Sequence, residues 1–223
     1  MRFHGELHDI KLINFSVKIE EVIASVPKAF RVLQENGSAI ISMVDVNLKN
    51  MSSSIFPFFK FDTRYVAFRL LLDDTNISGI SNPKGVYFLK NFSNRPFLNF
   101  FGNLMNHRKS VYANIMEYFD AFSLKKGSKY LEYALDPYSK CKGEPFLHQK
   151  IHRIDRVYET SDEGVLVSKI FKENYWPIEP IKCYHFATNF FETARFLGAF
   201  KVKNNLNYTW NSPVLVSGKK RLK

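Results

Sequence analysis

Lys109 has more chemical promise than any other side chain in this sequence. It follows Arg108 and opens a run in which it shares strand parity with Val111, Ala113 and Ile115. A lysine beside a second cation in apolar surroundings loses its proton more readily and can attack a carbonyl. An exposed basic pair at a strand entrance is the plainer reading. Arg69 comes second. It lies in Tyr65-Val66-Ala67-Phe68-Arg69-Leu70-Leu71-Leu72, where Val66, Phe68, Leu70 and Leu72 share one face and Tyr65, Ala67, Arg69 and Leu71 share the other. Such a strand is buried on both sides, and an arginine is rarely buried without a partner. Either its stem lies on apolar surface with the head in water, or its planar fork holds an anion.

The remaining candidates are weaker. His148 and His152 in HQKIH share one helix face. A zinc site of the HExxH type needs glutamate where Gln149 stands, and a third ligand, so a solvated face is the favoured reading. Cys183 has His185 close in sequence, and Cys141 has His148 further off. A Cys–His pair is a matter of proximity in space, which sequence does not give. No Walker loop, GxSxG elbow or GxGxxG is present. Two cysteines make neither a disulfide framework nor a metal spacing. No cofactor and no metal is expected.

These residues need elements to position them. Residues 84–118 form the centre: a strand at 86–89, a polar break at 91–96, a helix-length aromatic patch at 97–104, and a second strand over 108–119. Upstream, the pattern predicts a strand over 6–17, a helix over 18–25 stopped before Pro27, and strands over 38–51 and 62–72. Downstream it predicts a hairpin, 121–124 with 129–135, about Lys125-Lys126-Gly127-Ser128. A helix over 145–157, strands over 165–171 and 181–186, a helix over 188–197 closed by Gly198, and strands at 207–210 and 214–216 complete the chain. Tyr87 and Tyr112 are placed beside Arg69 as apolar walls with polar tips. At ~3.3 Å per residue Asp73 lies about 13 Å from Arg69 along its own strand, so Glu117 from another strand is the candidate partner.

Composition fits this arrangement. The 223 residues suffice for a sizeable core. The 22 Phe and 11 Tyr favour pleated, half-buried surfaces and apolar pockets. The formal charge of +11 admits nucleic acid as an alternative partner. It is spread along the chain, however, and concentrates only in Lys219-Lys220-Arg221-Leu222-Lys223, a solvated basic tail. No stretch approaches the ~20 apolar residues of a membrane span, and no signal peptide is legible. The expectation is a cytoplasmic protein with no membrane partner.

The fold class expected is α+β: residues 1–223 as one domain, with a strongly bent, mostly antiparallel, barrel-like sheet and a few short helices. Several segments in order resemble one family: HGELHDIKLINFSVKIEEVIASVP, NGSAIISMVDVNLKNM, YVAFRLLL, KGVYFLKNFSNR, FFGNLM, and later Tyr175-Trp176-Pro177-Ile178. Together they resemble the DUF2071 family, the YqjF-like branch of the acetoacetate decarboxylase-like superfamily. The resemblance implies a bent barrel with an internal cavity. Acetoacetate decarboxylases themselves use a Schiff-base lysine after a Gly-rich segment ending Pro-Lys-Lys, with a glutamate on an earlier strand. Here GNLMNHRKSV lacks the proline, and Ala67 stands about where the glutamate belongs. The reading is a binder of a small organic, anionic ligand through Arg69, Tyr87, Tyr112 and Glu117. A Schiff-base decarboxylase or aldolase acting on a β-keto acid through Lys109 is the alternative. Further copies of the chain in a homo-oligomer are the other partner considered.

Overall fold

The computed structural model describes residues 2–79, 84–96, 110–139, 141, 143, 145–172 and 177–218. The 97–104 patch, Lys109, Trp176 and the basic tail at 219–223 lie outside the described residues.

All the described strands belong to one bent, barrel-like sheet of fifteen. In chain order they are β1 (Arg2–Lys18), β2 (Gln34–Glu35), β3 (Ser38–Ser53), β4 (Phe61–Leu71), β5 (Gly85–Ser93), β6 (Val111–Tyr112), β7 (Asn114–Tyr118), β8 (Ala121–Lys126), β9 (Lys129–Asp136), β10 (Arg156–Ser161), β11 (Gly164–Lys172), β12 (Ile178–Thr188), β13 (Arg195–Val202), β14 (Leu206–Asn211) and β15 (Val214–Gly218). Among the described residues three short helices interrupt them: α1 (Ile19–Ile23), α2 (Thr75–Ser78) and α3 (Pro145–His152). Most pairings are antiparallel; β5 runs parallel to β10 and to β6.

The pairings trace two circuits that share β1, β3, β4 and β5. The first runs β1-β3-β4-β5-β10-β11-β14 and returns to β1. The second leaves β5 through β6 and β7, which only Ala113 separates, and returns by β8, β9, β12 and β13 to β1. β1 makes this possible. One edge pairs with β3, while the other pairs with β14 over Arg2 to Leu7 and with β13 over Lys11 to Ser16.

Period-2 alternation on the shared strands sends side chains into two separate cores. One core takes side chains from every strand of the first circuit, including Leu12, Val44, Ala67, Val86, Val157, Ile170 and Leu206, with Leu147 and Ile151 of α3 laid against them. The other takes Phe15, Met43, Phe68, Phe122, Leu131, Tyr133 and Phe191 of the second circuit. Phe68 is its hub. Its ring lies 5.2 Å from Phe190, 5.7 Å from Phe191, 5.8 Å from Phe92 and 6.2 Å from Phe15, the contacts to Phe190, Phe92 and Phe15 being edge-on.

Several sequence expectations are corrected. The polar break at 91–96 begins as strand, because Asn91 pairs with Ala67 and Ser93 with Tyr65. The strand expected over 108–119 is split at Ala113 into β6 and β7. The helix expected over 145–157 ends at His152, and Val157 enters β10 opposite Ser168. The helix expected over 188–197 is absent: Thr188 ends β12, and Phe190, Phe191 and Ala194 lie in the bends and turn that follow. Arg195, Phe196 and Gly198 pair with β1 inside β13, so strand pairing on both sides leaves no helix.

Candidate functional site

Two arginines of β4 face opposite circuits, and each organises the buried polar groups on its side. Arg64 faces the second circuit. Its Nε donates to Asp45 Oδ1 at 2.8 Å and its Nη2 to Asp45 Oδ2 at 2.6 Å, a bidentate pair with both residues buried. Its Nη1 donates to Glu117, which also accepts from Lys11 Nζ. Lys11 reaches Asp9 as well, at 2.9 Å. Tyr133 donates its hydroxyl to Asp45 Oδ2 at 2.5 Å and stacks on Phe122 at 4.7 Å, and the Arg64 guanidinium lies 5.4 Å from the Phe122 ring centre.

Register explains the assembly. Asp45 is paired with Val66 and lies two residues from Arg64 along the register, a same-face diagonal across β3 and β4, while β7 and β9 bring Glu117 and Tyr133 from the far wall of the circuit. Burial works to lower the Arg64 pKa, but its bonds to Asp45 and Glu117 outweigh that and raise it. Lys11 behaves likewise: burial is outweighed by Glu117, Asp45 and Asp9, and its pKa is raised. Burial would raise Glu117, but Arg64 and Lys11 hold it below the usual carboxylate value. Burial and the adjacent Asp45 charge push the Tyr133 phenol well up. Every charge in this cluster is answered by another. Lys11 is held as an ammonium, which is no nucleophile.

Arg69 faces the first circuit and is 5% exposed. Among the described residues it bonds only to Ser42: Nε donates to the Ser42 carbonyl at 3.1 Å and Nη2 to Ser42 Oγ at 2.9 Å. No described carboxylate pairs with it. Burial lowers its pKa to about 10, against weaker opposing effects of Tyr208 and Tyr65.

Cross-strand pairing continues the row on either side. Ser42 stands opposite Asn14 on β1, and Arg69 stands opposite Phe88 on β5. Asn14 is fully buried; its amide donates to the carbonyls of Leu12 and Gly198, leaving Oδ1 without a partner among the described residues. Asn91 Oδ1 and Ser168 Oγ, in the adjoining rows, are also buried without partners among the described residues. Phe88 meets Trp210 edge-on at 6.3 Å, and Trp210 meets Tyr208 at 6.1 Å. The wall around Arg69 is thus aromatic with scattered oxygen acceptors.

The residues singled out from sequence are distributed as follows. Arg69 is buried on the face expected. Tyr87 stands one position off: a bulge on β5 beside Phe68 and Arg69 puts Phe88 across from Arg69 and turns Tyr87 to Leu70 and, at 5.6 Å, to Phe30 in the opposite core. Tyr112 pairs with Ser93 and is 46% exposed. Glu117 is engaged by Arg64 and Lys11 rather than Arg69. Lys109 lies outside the described residues.

The rings of His148 and His152 lie 5.7 Å apart and tilted to one another on α3, and His148 meets Phe200 edge-on. Among the described residues no group of three or more His, Cys, Asp or Glu is placed to hold a metal. Cys183 Sγ donates to the His185 carbonyl at 2.9 Å, and burial pushes its thiol up, away from thiolate character. Sequence reasoning missed Lys11, Asp45, Arg64 and Tyr133, together with Asn14, Ser42 and Asn91. The signal available was a polar residue interrupting an apolar alternation, as Asp45 does in Met43-Val44-Asp45-Val46.

No protein-family model matches the chain, and no curated protein sequence does. Solved structures do. An acetoacetate decarboxylase from Legionella pneumophila matches over 98% of this chain and 88% of its own, with TM-score 0.62 and 8% identity. An acetoacetate decarboxylase-like enzyme from Sphingomonas wittichii matches over 97% and 93%, with TM-score 0.61 and 6% identity. The enduracididine biosynthesis enzyme MppR, complexed with pyruvate, matches over 97% and 90%, with TM-score 0.58 and 10% identity. The two-circuit sheet of this chain is therefore an acetoacetate decarboxylase-like fold.

Proposed function

We propose that this protein binds a small organic carboxylate inside the first circuit, with the Arg69 guanidinium as its anion anchor. The observation that carries this reading is a charged side chain, 5% exposed, with no carboxylate among the described residues and only Ser42 as hydrogen-bond partner. A buried charge without an opposite charge is costly, and a bidentate carboxylate would supply that charge. The unpartnered oxygens of Asn14, Asn91 and Ser168 suit a ligand, or its water, that also donates hydrogen bonds. Phe88, Tyr208 and Trp210 supply an apolar wall for a carbon skeleton. MppR, similar in fold at 10% identity, is known with pyruvate, an oxo-carboxylate.

Calorimetric titration with pyruvate and with acetoacetate tests this. The protein takes up at least one of them saturably, and Arg69→Met abolishes the heat while the circular dichroism spectrum is kept. Uptake unchanged in Arg69→Met, or none of either probe, overturns the reading.

A second reading, Schiff-base chemistry on a β-keto acid through Lys109, draws support from the carboxylates and phenol gathered at Asp45, Glu117 and Tyr133, groups able to move protons in the second circuit. Borohydride reduction with acetoacetate, followed by mass spectrometry of the peptide containing Lys109, separates the two: an adduct there favours the enzyme, and none favours the binder.

A further inference from the structure

β3 and β4 are joined by Ser54-Ile55-Phe56-Pro57-Phe58-Phe59-Lys60, and the large apolar side chains of this tip all face outward. Phe58 is 99% exposed, Phe56 61%, Ile55 60% and Phe59 53%. The tip is built rather than loose. Phe59 N–H donates to the Phe56 carbonyl at 3.2 Å across a turn with Pro57 in second place. Phe56 N–H donates to Ser53 Oγ at 3.0 Å. Ser54 N–H donates to the Arg2 carbonyl at 2.8 Å, and Arg2 N–H returns a bond to Ser54 Oγ at 3.0 Å. A fixed backbone therefore presents these rings to the surroundings, and clustered exposed apolar groups mark a contact site.

Charge at the base of the tip identifies the contact. Arg2, Lys60 and Arg95 are exposed there. Lys49 is also near, held by Asp62 at 2.8 Å. Of the nearby acids, Asp62 is occupied by Lys49, and Glu6 by His8 at 2.7 Å and Asn50 at 3.2 Å. The chain as a whole carries +11. An apolar tip with cations behind it matches an anionic lipid surface: rings enter the headgroup–acyl boundary while lysine and arginine meet phosphate and carboxylate. A convex tip, its leading ring 99% exposed, also suits a deformable medium better than the flat, closely packed face of a protein partner.

We propose that the Phe56-Pro57-Phe58-Phe59 tip inserts into the surface of an anionic phospholipid membrane and docks the protein there peripherally. No helix among the described residues is long and apolar enough to cross a membrane, and insertion of a hairpin tip requires none. The sequence-based expectation of no membrane partner rested on the absence of a span.

The test is co-sedimentation of the full chain with vesicles of phosphatidylserine and phosphatidylcholine, against phosphatidylcholine alone. The protein sediments with the anionic vesicles and at least about tenfold less with the neutral ones. Phe56→Ser/Phe58→Ser loses about tenfold or more on anionic vesicles, and Lys60→Glu loses less. Both variants keep the thermal transition, because the replaced side chains are exposed. Absence of binding to anionic vesicles overturns the proposal, as does binding that the double serine variant leaves intact. A dimer in light scattering without lipid that the double variant dissociates also overturns it, since the tip then seats against a second copy. So does lipid-free capture of a protein that depends on Phe58.

Discussion

Arg64 and Arg69 sit on one strand, five residues apart, both buried and both pointing into a circuit of the same sheet. Their surroundings are opposite. Arg64 has Asp45 on two nitrogens, Glu117 on the third and Phe122 against its plane. Among the described residues Arg69 bonds to one serine. The first is a closed electrostatic unit that ties the far wall of the second circuit, through Glu117 and Tyr133, to the shared wall. The second is a buried charge with no carboxylate partner among the described residues. The contrast teaches that burial alone does not assign a role to an arginine; the inventory of acceptors does.

The largest expected effect tests the closed unit. Asp45→Ala leaves Arg64 without its bidentate partner and Tyr133 without its acceptor, and lowers stability by about 3–5 kcal/mol in urea unfolding. Arg69→Met removes an uncompensated charge and fills its volume with an apolar chain, so its stability stays within about 1.5 kcal/mol of the parent or rises. Equal losses in the two variants break the comparison.

Acid titration gives an effect of intermediate size. Glu117 is depressed from its ordinary value of 4.5. Its contribution is therefore fully present above about pH 4.5 and is lost as pH falls through the lower folded value. Unfolding monitored between pH 6 and pH 3 shows this decline, and Glu117→Gln flattens it. A slope the variant leaves unchanged assigns the acid sensitivity elsewhere. The smallest effect sharpens the other side. Tyr87 packs against Phe30 in the opposite core, so Tyr87→Phe leaves pyruvate uptake unaltered and changes stability by roughly 0.5 kcal/mol or less. Phe88→Ala, across from Arg69, weakens uptake; the reverse order contradicts the register of β5.

Much of the shared wall was legible from sequence, because β3 and β4 alternate cleanly and alternation fixes which face each side chain takes. The burial of Arg69 on the face of Ala67 and Leu71 follows from that alternation. Tyr87 was misplaced because the β5 bulge shifts parity by one residue, and nothing in Val86-Tyr87-Phe88-Leu89 announces a bulge. Glu117 was assigned to the wrong arginine because partner choice depends on how β7 crosses to β4, a long-range register that local pattern does not encode. The segment at 188–197 carries helical spacing, yet Thr188 ends β12, residues 189–194 turn, and Arg195 enters β13, since β1 offers an edge there and pairing outweighs propensity.

The double-edged pairing of β1 has a consequence in time. The strand that opens the described chain is hydrogen-bonded to β13 and β14, which lie near its other end. Neither circuit can close until those late segments have been synthesised, so β1, covered by β3 on one edge, waits with its other edge open while the ribosome adds most of the remaining residues. Contacts so distant in sequence slow folding and expose nascent strands to mispairing. The hydrophobic residues that make β1 the seam of the finished sheet, Leu12, Ile13 and Phe15 among them, are fully buried only once that seam is closed.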